Sequence, residues 1–187
     1  MLKIAFVCLG NICRSPMAEF VMKDLVRAQG LEKDFFIFSA GTAGYHNGED
    51  MHFKTKNKLK EKGIKARGFK SQKLSAKMCK ESDFLITMDE SNYHFVSILC
   101  QKSGVNAKKI LRLCDFLPAH FDYKEVPDPW YSGDFDETYE IVKPACENLL
   151  EKLKKDLEKD LKEGFFKGIL KNKIKALALF LGVSPLI

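Results

Sequence analysis

The chain has 187 residues, 45% of them hydrophobic and 30% charged, with a formal net charge of +6. That is enough for one compact domain with an appendage and a sizeable core. No stretch approaches the ~20 apolar residues of a membrane-spanning helix, and Met1–Val7 is too short an apolar run for a signal peptide; both points place the protein in the cytoplasm. Residues 164–187 hold four lysines and no acid, so they carry most of the excess charge. The first 163 residues have no basic stripe interleaved with aromatics, which argues against nucleic-acid binding. The six cysteines, at 8, 13, 79, 100, 114 and 146, include no Cys-x2-Cys pair and no Cys/His cluster at zinc spacing, so no metal site is expected and the thiols should be free in a reducing compartment.

Leu2–Val7 is an apolar run suited to a buried strand. Pro16 fits the first turn of a helix that carries Met17, Phe20, Val21, Leu25 and Val26 at helical spacing and stops at Gly30. Phe35–Phe38 reads as a second strand closed by Ser39-Ala40-Gly41-Thr42, residues 51–62 as a helix stopped at Gly63, Asp83–Met88 as a third strand and Lys109–Leu113 as a fourth. From Glu137 a helical stripe runs through Val142, Cys146, Leu149, Leu150, Leu153, Leu157 and Leu161, with Pro144 either kinking the helix or marking its start. Gly164 breaks this pattern. The expectation is an α/β protein: a domain over residues 1–163 with a parallel sheet covered by helices on both faces, and a separate tail over 164–187. In such sheets ligands bind beyond the carboxyl ends of strands, which is where Cys8 lies.

Val7-Cys8-Leu9-Gly10-Asn11-Ile12-Cys13-Arg14-Ser15-Pro16 joins the first strand to a helix N-terminus. Cys-x5-Arg alone is a weak motif; its setting strengthens it. A helix N-terminus offers unpaired N–H groups and partial positive charge to an anion, and the residues between Cys8 and Arg14 can curl their amides into a nest around one phosphate. Gly10 and Asn11 are residue types that tolerate the left-handed backbone of such a curl. Arg14 offers a planar fork to two phosphoryl oxygens, the same field favours a Cys8 thiolate, and Ser15 can donate to the sulfur. A buried, inert Cys8 in a tight turn would leave Gly10, Asn11 and Arg14 unexplained together. The missing proton donor is supplied best by Asp128 in Pro127-Asp128-Pro129-Trp130-Tyr131, a stiff segment that can hold a carboxyl over a site. Trp130 and Tyr131 would partly desolvate it and stack on an aromatic substrate.

Cys8-Leu9-Gly10-Asn11-Ile12-Cys13-Arg14-Ser15 and Asp128-Pro129-Trp130-Tyr131 resemble the signatures of the low-molecular-weight protein tyrosine phosphatases. Ser39-Ala40-Gly41-Thr42 and Met88-Asp89-Glu90-Ser91-Asn92 resemble two further family segments, and the likeness runs from about residue 2 to 153. It implies a four-stranded parallel sheet flanked by helices and a reaction without metal or cofactor. It implies Cys8 as nucleophile, Arg14 as phosphate ligand, Asp128 as general acid and then base, and tyrosine-phosphorylated proteins as substrates. By the same likeness Asn11, Ser15 and Ser39 form a network that fixes the loop, Leu9 to Cys13 line the phosphate site, and Tyr45, Trp130 and Tyr131 form its walls. Phe69-Lys70-Ser71-Gln72-Lys73 stands where relatives carry a His followed two residues later by Ala-Arg-Gln, so that His contact is missing or replaced. The likeness also implies a reversible Cys8–Cys13 disulfide under oxidation, the plain alternative being that Cys13 is a small packed side chain.

Three rivals stay in view. Arsenate reductases share the loop but need further shuttling cysteines, and Cys79 has no close sequence partner before Cys100. Phosphoarginine phosphatases replace the loop's Ile with a small polar residue, whereas Ile12 suits an aryl ring. A catalytically dead phosphotyrosine-binding module is disfavoured by the joint presence of Cys8, Arg14 and Asp128. In the tail, Phe165, Phe166, Ile169, Leu170, Ile174, Leu177 and Leu181 fall on one helical face and Lys167, Lys171 and Lys175 on another. This basic amphipathic pattern over 165–181 suits either packing on protein or peripheral contact with a membrane.

Overall fold

The computed structural model describes the backbone of residues 1–180 and the side chains of residues 1–158 other than Lys108. The chain divides into two compact units, one of Met1–Leu150 and a second from Glu151 onward. The first unit holds every element discussed below except the later part of its last helix.

Strand β1 (Leu2–Cys8) is followed by α1 (Arg14–Ala28), β2 (Phe35–Gly41), α2 (Phe53–Glu61), α3 (Ala76–Glu81), β3 (Phe84–Thr87), α4 (Glu90–Lys102) and β4 (Ile110–Arg112). The strands form one sheet in the order β2-β1-β3-β4, and each neighbouring pair is parallel. β1 is central because Ile4, Ala5, Phe6 and Val7 are all fully buried; a strand covered on both faces carries a continuous apolar run rather than an alternation. Ala5 and Val7 point into one cluster with Leu85, Ile110, Cys79, Val96 and Cys100, which places α3 and α4 on that face. Ile4 and Phe6 alternate to the opposite face.

The chain leaves β1 for β2 on one side and later enters β3 on the other, so the carboxyl end of β1 is the switch point of the sheet, the place where open α/β sheets bind ligands. The loop 9–13 sits there. The four strands and α1 and α2 match the sequence pattern to within three residues at each end, as cooperative elements with frayed ends should. Helices α3 and α4 were not read from the sequence. α3 has only six residues, too few to show a period, and α4 keeps only Asn92, Val96 and Cys100 buried among its polar residues.

Past β4, the short helix α5 (Pro129–Ser132) ends at Gly133, whose φ of 75° breaks it from α6 (Phe135–Phe180). Asp134 starts α6, its Oδ1 accepting the Glu137 N–H at 2.8 Å. Pro144 therefore lies inside the helix and does not begin it. Helix backbone continues through Gly164 to Phe180: one interior Gly costs about 1 kcal/mol relative to Ala, too little to end a helix whose neighbours favour it. The apolar stripe of α6 holds, with Val142, Cys146, Leu149, Leu150 and Leu153 all buried. Among the described residues no helix is long and apolar enough to cross a membrane. The side chains that define the 165–181 pattern lie outside the described residues.

Candidate active site

The loop after β1 is held by its carbonyls. The Cys8 carbonyl accepts from Thr42 N at 2.9 Å, Leu9 from Ala43 N at 2.9 Å, and Ile12 from His52 N at 2.8 Å. The Gly10 carbonyl accepts from Ser71 Oγ at 3.3 Å and Cys13 from Thr55 Oγ1 at 3.5 Å. Every one of these partners lies outside the loop, on β2's exit, on α2 or on the 69–74 segment. A trans peptide sets N–H opposite C=O, so carbonyls tied outward leave the following amides turned inward. Asn11 N–H, one of them, points at Cys8 Sγ at 3.3 Å. α1 adds its own free amides: Cys13 makes no side-chain cap there, and the first turn carries no acid. The result is a concave nest of donors around the sulfur.

Asn11 makes the curl possible. It is the one described non-glycine residue with positive φ, at 55°, a conformation asparagine adopts at low cost. Gly10, expected to share that role, has ordinary φ; it is small because a Cβ there would come within 3.3 Å of the His46 ring. Gly41 at the end of β2 is under a harder constraint, since a Cβ would lie 2.8 Å from the carbonyls of both Leu9 and Ala43.

The Asn11 carboxamide is oriented by its acceptor, which takes the Gln72 N–H at 2.9 Å. Its amide nitrogen therefore donates, to Ser15 Oγ at 2.9 Å and Ser39 Oγ at 2.8 Å. Ser39 passes its own proton to Glu19 Oε2 at 2.6 Å, and Glu19 is buried and paired with Lys23. Ser15 Oγ, which accepts from Asn11, also lies within hydrogen-bond distance of Cys8 Sγ at 3.0 Å. The Asn11 N–H and the Ser15 hydroxyl thus converge on one sulfur. In the 69–74 segment Phe69 is buried against Phe20, and Gln72 gives its backbone N–H to Asn11 and its side-chain amide to the Ser39 carbonyl at 3.0 Å.

Arg14 is 3% exposed and its fork is aimed by two acids. Nη1 donates to Asp89 Oδ2 at 2.6 Å and to the Val126 carbonyl at 3.2 Å, and Nη2 donates to Asp128 Oδ2 at 2.6 Å. Burial opposes the guanidinium charge, but Cys8, Asp128 and Asp89 outweigh it and raise the pKa further. Arg14 Nε is buried with no acceptor among the described residues; a buried donor left so costs about 1–3 kcal/mol, which an anion in the nest would recover. Cys13 has the opposite character. Burial first, then the charges of Cys8 and Asp128, push its thiol up to about 12, so it stays protonated at neutral pH and does not compete as a nucleophile.

Asp128 is the N-cap of α5, with Oδ1 accepting from Trp130 N at 3.1 Å and Pro129 at the first helical position. The stiffness expected of Pro-Asp-Pro thus comes from a capped helical turn. Cys8, Leu9, Gly10, Ile12, Cys13, Tyr45, Asp128, Trp130 and Tyr131 line one cleft of about 260 Å³, together with His46. Cys8 forms its floor at 2% exposure, while Tyr45 and Tyr131 stand 81% and 79% exposed at the rim. Among the described residues no cluster of His, Cys, Asp and Glu could hold a metal.

The chain matches the model of the family described as low molecular weight phosphotyrosine protein phosphatase over residues 3–159. It belongs to that family. The low molecular weight protein-tyrosine-phosphatase YfkJ of Bacillus subtilis is 38% identical over 155 residues, covering 82% of this chain and 97% of that protein. Its crystal structure superposes with a TM-score of 0.79 at 37% identity, over 83% of this chain and 96% of the other. The solution structure of the low molecular weight protein tyrosine phosphatase from Campylobacter jejuni is 57% identical with a TM-score of 0.64, over 82% of this chain and 96% of that one. A crystal structure titled as a drosophila arginine phosphatase also shares the fold, at 28% identity and a TM-score of 0.75, over 82% of this chain and 98% of that one.

Sequence reading of this phosphatase-family chain missed Asp89, His46, Glu19, Gln72 and the tight position of Gly41 as parts of the site. Asp89 carried a usable signal, an N-cap acid directly after a strand, where its side chain accepts from Asn92 N at 2.7 Å. The others act across more than ten residues of sequence and leave no local pattern. Removing the Asn11 carboxamide tests the network. Asn11→Ala should lower folding stability by about 2–4 kcal/mol and depress kcat more than it raises KM for an aryl phosphate, read by denaturant melts and steady-state kinetics. Unchanged kcat would show that the network does not set the loop.

Proposed function

We propose that the chain hydrolyses phosphotyrosine in proteins through a phosphocysteine at Cys8. The observation that supports the residue roles is the convergence of Ser15 Oγ and Asn11 N–H on Cys8 Sγ, with Cys8 and Asp128 lining one cleft and Asp128 paired with Arg14. In-line attack by Cys8 forms the S–P bond and breaks the P–O bond to the tyrosine. Loop amides and Arg14 carry the charge on the equatorial oxygens. Asp128 gives its proton to the departing phenolate oxygen, then takes one from the water that cleaves the S–P bond and releases phosphate.

The ion pair between Arg14 and Asp128 gives substrate binding a second task. A phosphoryl group that takes Arg14's fork removes the cation from Asp128 and sets negative charge beside it. Asp128 is then no longer tied to Arg14 and is available to the leaving-group oxygen. Ile12 and the aromatic rim favour an aryl phosphate over a guanidinium phosphate, which ranks phosphotyrosine above phosphoarginine as substrate. The cytoplasm is the compartment that suits free thiols and phosphoprotein substrates.

Cys8→Ser should lower turnover by roughly 10³-fold or more while phosphotyrosine peptides still bind. Asp128→Asn should lower it about 10²–10⁴-fold, and more for poor leaving groups than for activated ones. Near-normal turnover in Cys8→Ser would overturn the phosphocysteine route.

We also propose that Cys13 protects Cys8 from over-oxidation. Peroxide and a proton convert the Cys8 thiolate to a sulfenic acid with release of water, and the Cys13 thiol then attacks that sulfur, releasing a second water and forming the disulfide. With its thiol pushed up to about 12, Cys13 is the slow partner, and trapping should accelerate as pH rises. Mass spectrometry after mild peroxide should show a Cys8–Cys13 disulfide that forms faster at higher pH; sulfonic acid at Cys8 without a disulfide would contradict it.

A further inference from the structure

Trp130 has two sides. One lines the phosphate cleft; the other lines a separate cleft of about 210 Å³ with His52, Phe53, Lys54 and Phe135. His52 forms its floor, stacked on Phe135 at 5.0 Å and 10°, 4.7 Å from the Phe53 ring and edge-on to Trp130 at 5.8 Å. Phe53 and Trp130 remain 63% and 55% exposed. Large aromatic faces left in water on either side of one cleft are informative where scattered exposed apolar residues are not.

The cleft also has a charge. Lys54 Nζ lies 5.6 Å from the centroid of the Phe135 ring, and among the described residues no carboxylate comes within ion-pair distance of it. The neighbouring acids are engaged elsewhere: Asp50 with Lys56, Asp136 with Lys58, Glu49 with His46, Asp128 with Arg14. His52 does not share the role, because burial and then the charge of Lys54 hold its pKa below the ordinary value, and its Nδ1 accepts from Lys54 N. Lys54 is the cation the cleft presents.

We propose that this second cleft is a subsite for an acidic side chain, Asp or Glu, that flanks the phosphotyrosine of the substrate. This rests on the phosphatase reading of the first cleft, with which it is continuous across Trp130. The methylene groups of the flanking residue lie on Phe53 and Trp130, and its carboxylate pairs with Lys54. The two clefts share one wall, so a peptide seated by its phosphotyrosine is carried directly over the second. An ion pair there discriminates more by charge than by size, and it weakens with salt.

The test uses the full-length Cys8→Ser protein and fluorescent phosphotyrosine peptides. Glu, Ala or Lys is placed in turn at each of the three positions on either side of the phosphotyrosine, and binding is read by anisotropy. Wild-type turnover of an aryl phosphate is measured in parallel. At one flanking position Glu should bind about two- to fivefold more tightly than Lys, as exposed ion pairs allow, with a wider gap at low salt. Adding Lys54→Glu should reverse that order, and Lys54→Arg should keep it. Equal affinities at every position, or a Glu preference that survives Lys54→Glu, overturns the subsite. Failure of the wild type to turn over any aryl phosphate overturns the phosphatase reading instead, and the peptide order still decides the subsite.

Discussion

The site depends on one side chain in one unusual backbone conformation. Asn11 turns the loop through φ 55°, and its carboxamide then ties together Ser15, Ser39 and Gln72, residues from α1, β2 and the segment after α2. Any non-Gly residue other than Asn or Asp at that φ costs roughly 1–2 kcal/mol. No smaller side chain reaches all three partners. The Gln72 N–H occupies the Asn11 acceptor, so Asn11 donates to both serines, Ser39 donates to Glu19, and Ser15 Oγ stays in contact with Cys8 Sγ. The network ends on Glu19, a buried carboxylate on the same helix that supplies Arg14.

A second constraint centres on Arg14. Arg14 is pulled between Asp89 and Asp128 with Nε unsatisfied, so the phosphate-binding cation is held in place by acids, one of which must later act as an acid. Asp89 and Asp128 both position Arg14, and in the proposed reaction Asp128 also transfers the proton. Such a site is preorganised at a cost, and an acceptor supplied to Nε would offset it. The outward-tied carbonyls of Cys8, Leu9, Gly10, Ile12 and Cys13 set the same preorganisation in the backbone.

The strands, α1 and the loop were legible in the sequence because each is written locally: Ile4–Val7 as an apolar run, Pro16 at a helix start, Cys8 to Arg14 as a contiguous motif. Asp128 was legible because its two prolines mark a rigid turn. What stayed illegible depends on long-range geometry. Phe69 looked like a lost network contact, yet Gln72, three residues on, makes the bond. Gly41 looked like a strand end, and only the approach of the Leu9 carbonyl shows why no Cβ fits. His46 and His52 had no motif at all, although one packs over Gly10 and the other joins the loop to the Trp130 segment. Gly164 misled in the other direction, since a local helix breaker was overruled by the helix around it, and of the two readings of Pro144 the one inside the helix holds.

The central claim is that Cys8 itself carries the phosphoryl group. Rapid acid quench of the wild-type protein during turnover of a phosphotyrosine peptide labelled in its phosphoryl group, followed by digestion and mapping, tests it most directly. The account predicts label on the peptide that contains Cys8, removed when Cys8 is replaced by Ser. Label on another residue, or phosphate release with no labelled protein at any quench time, would contradict it.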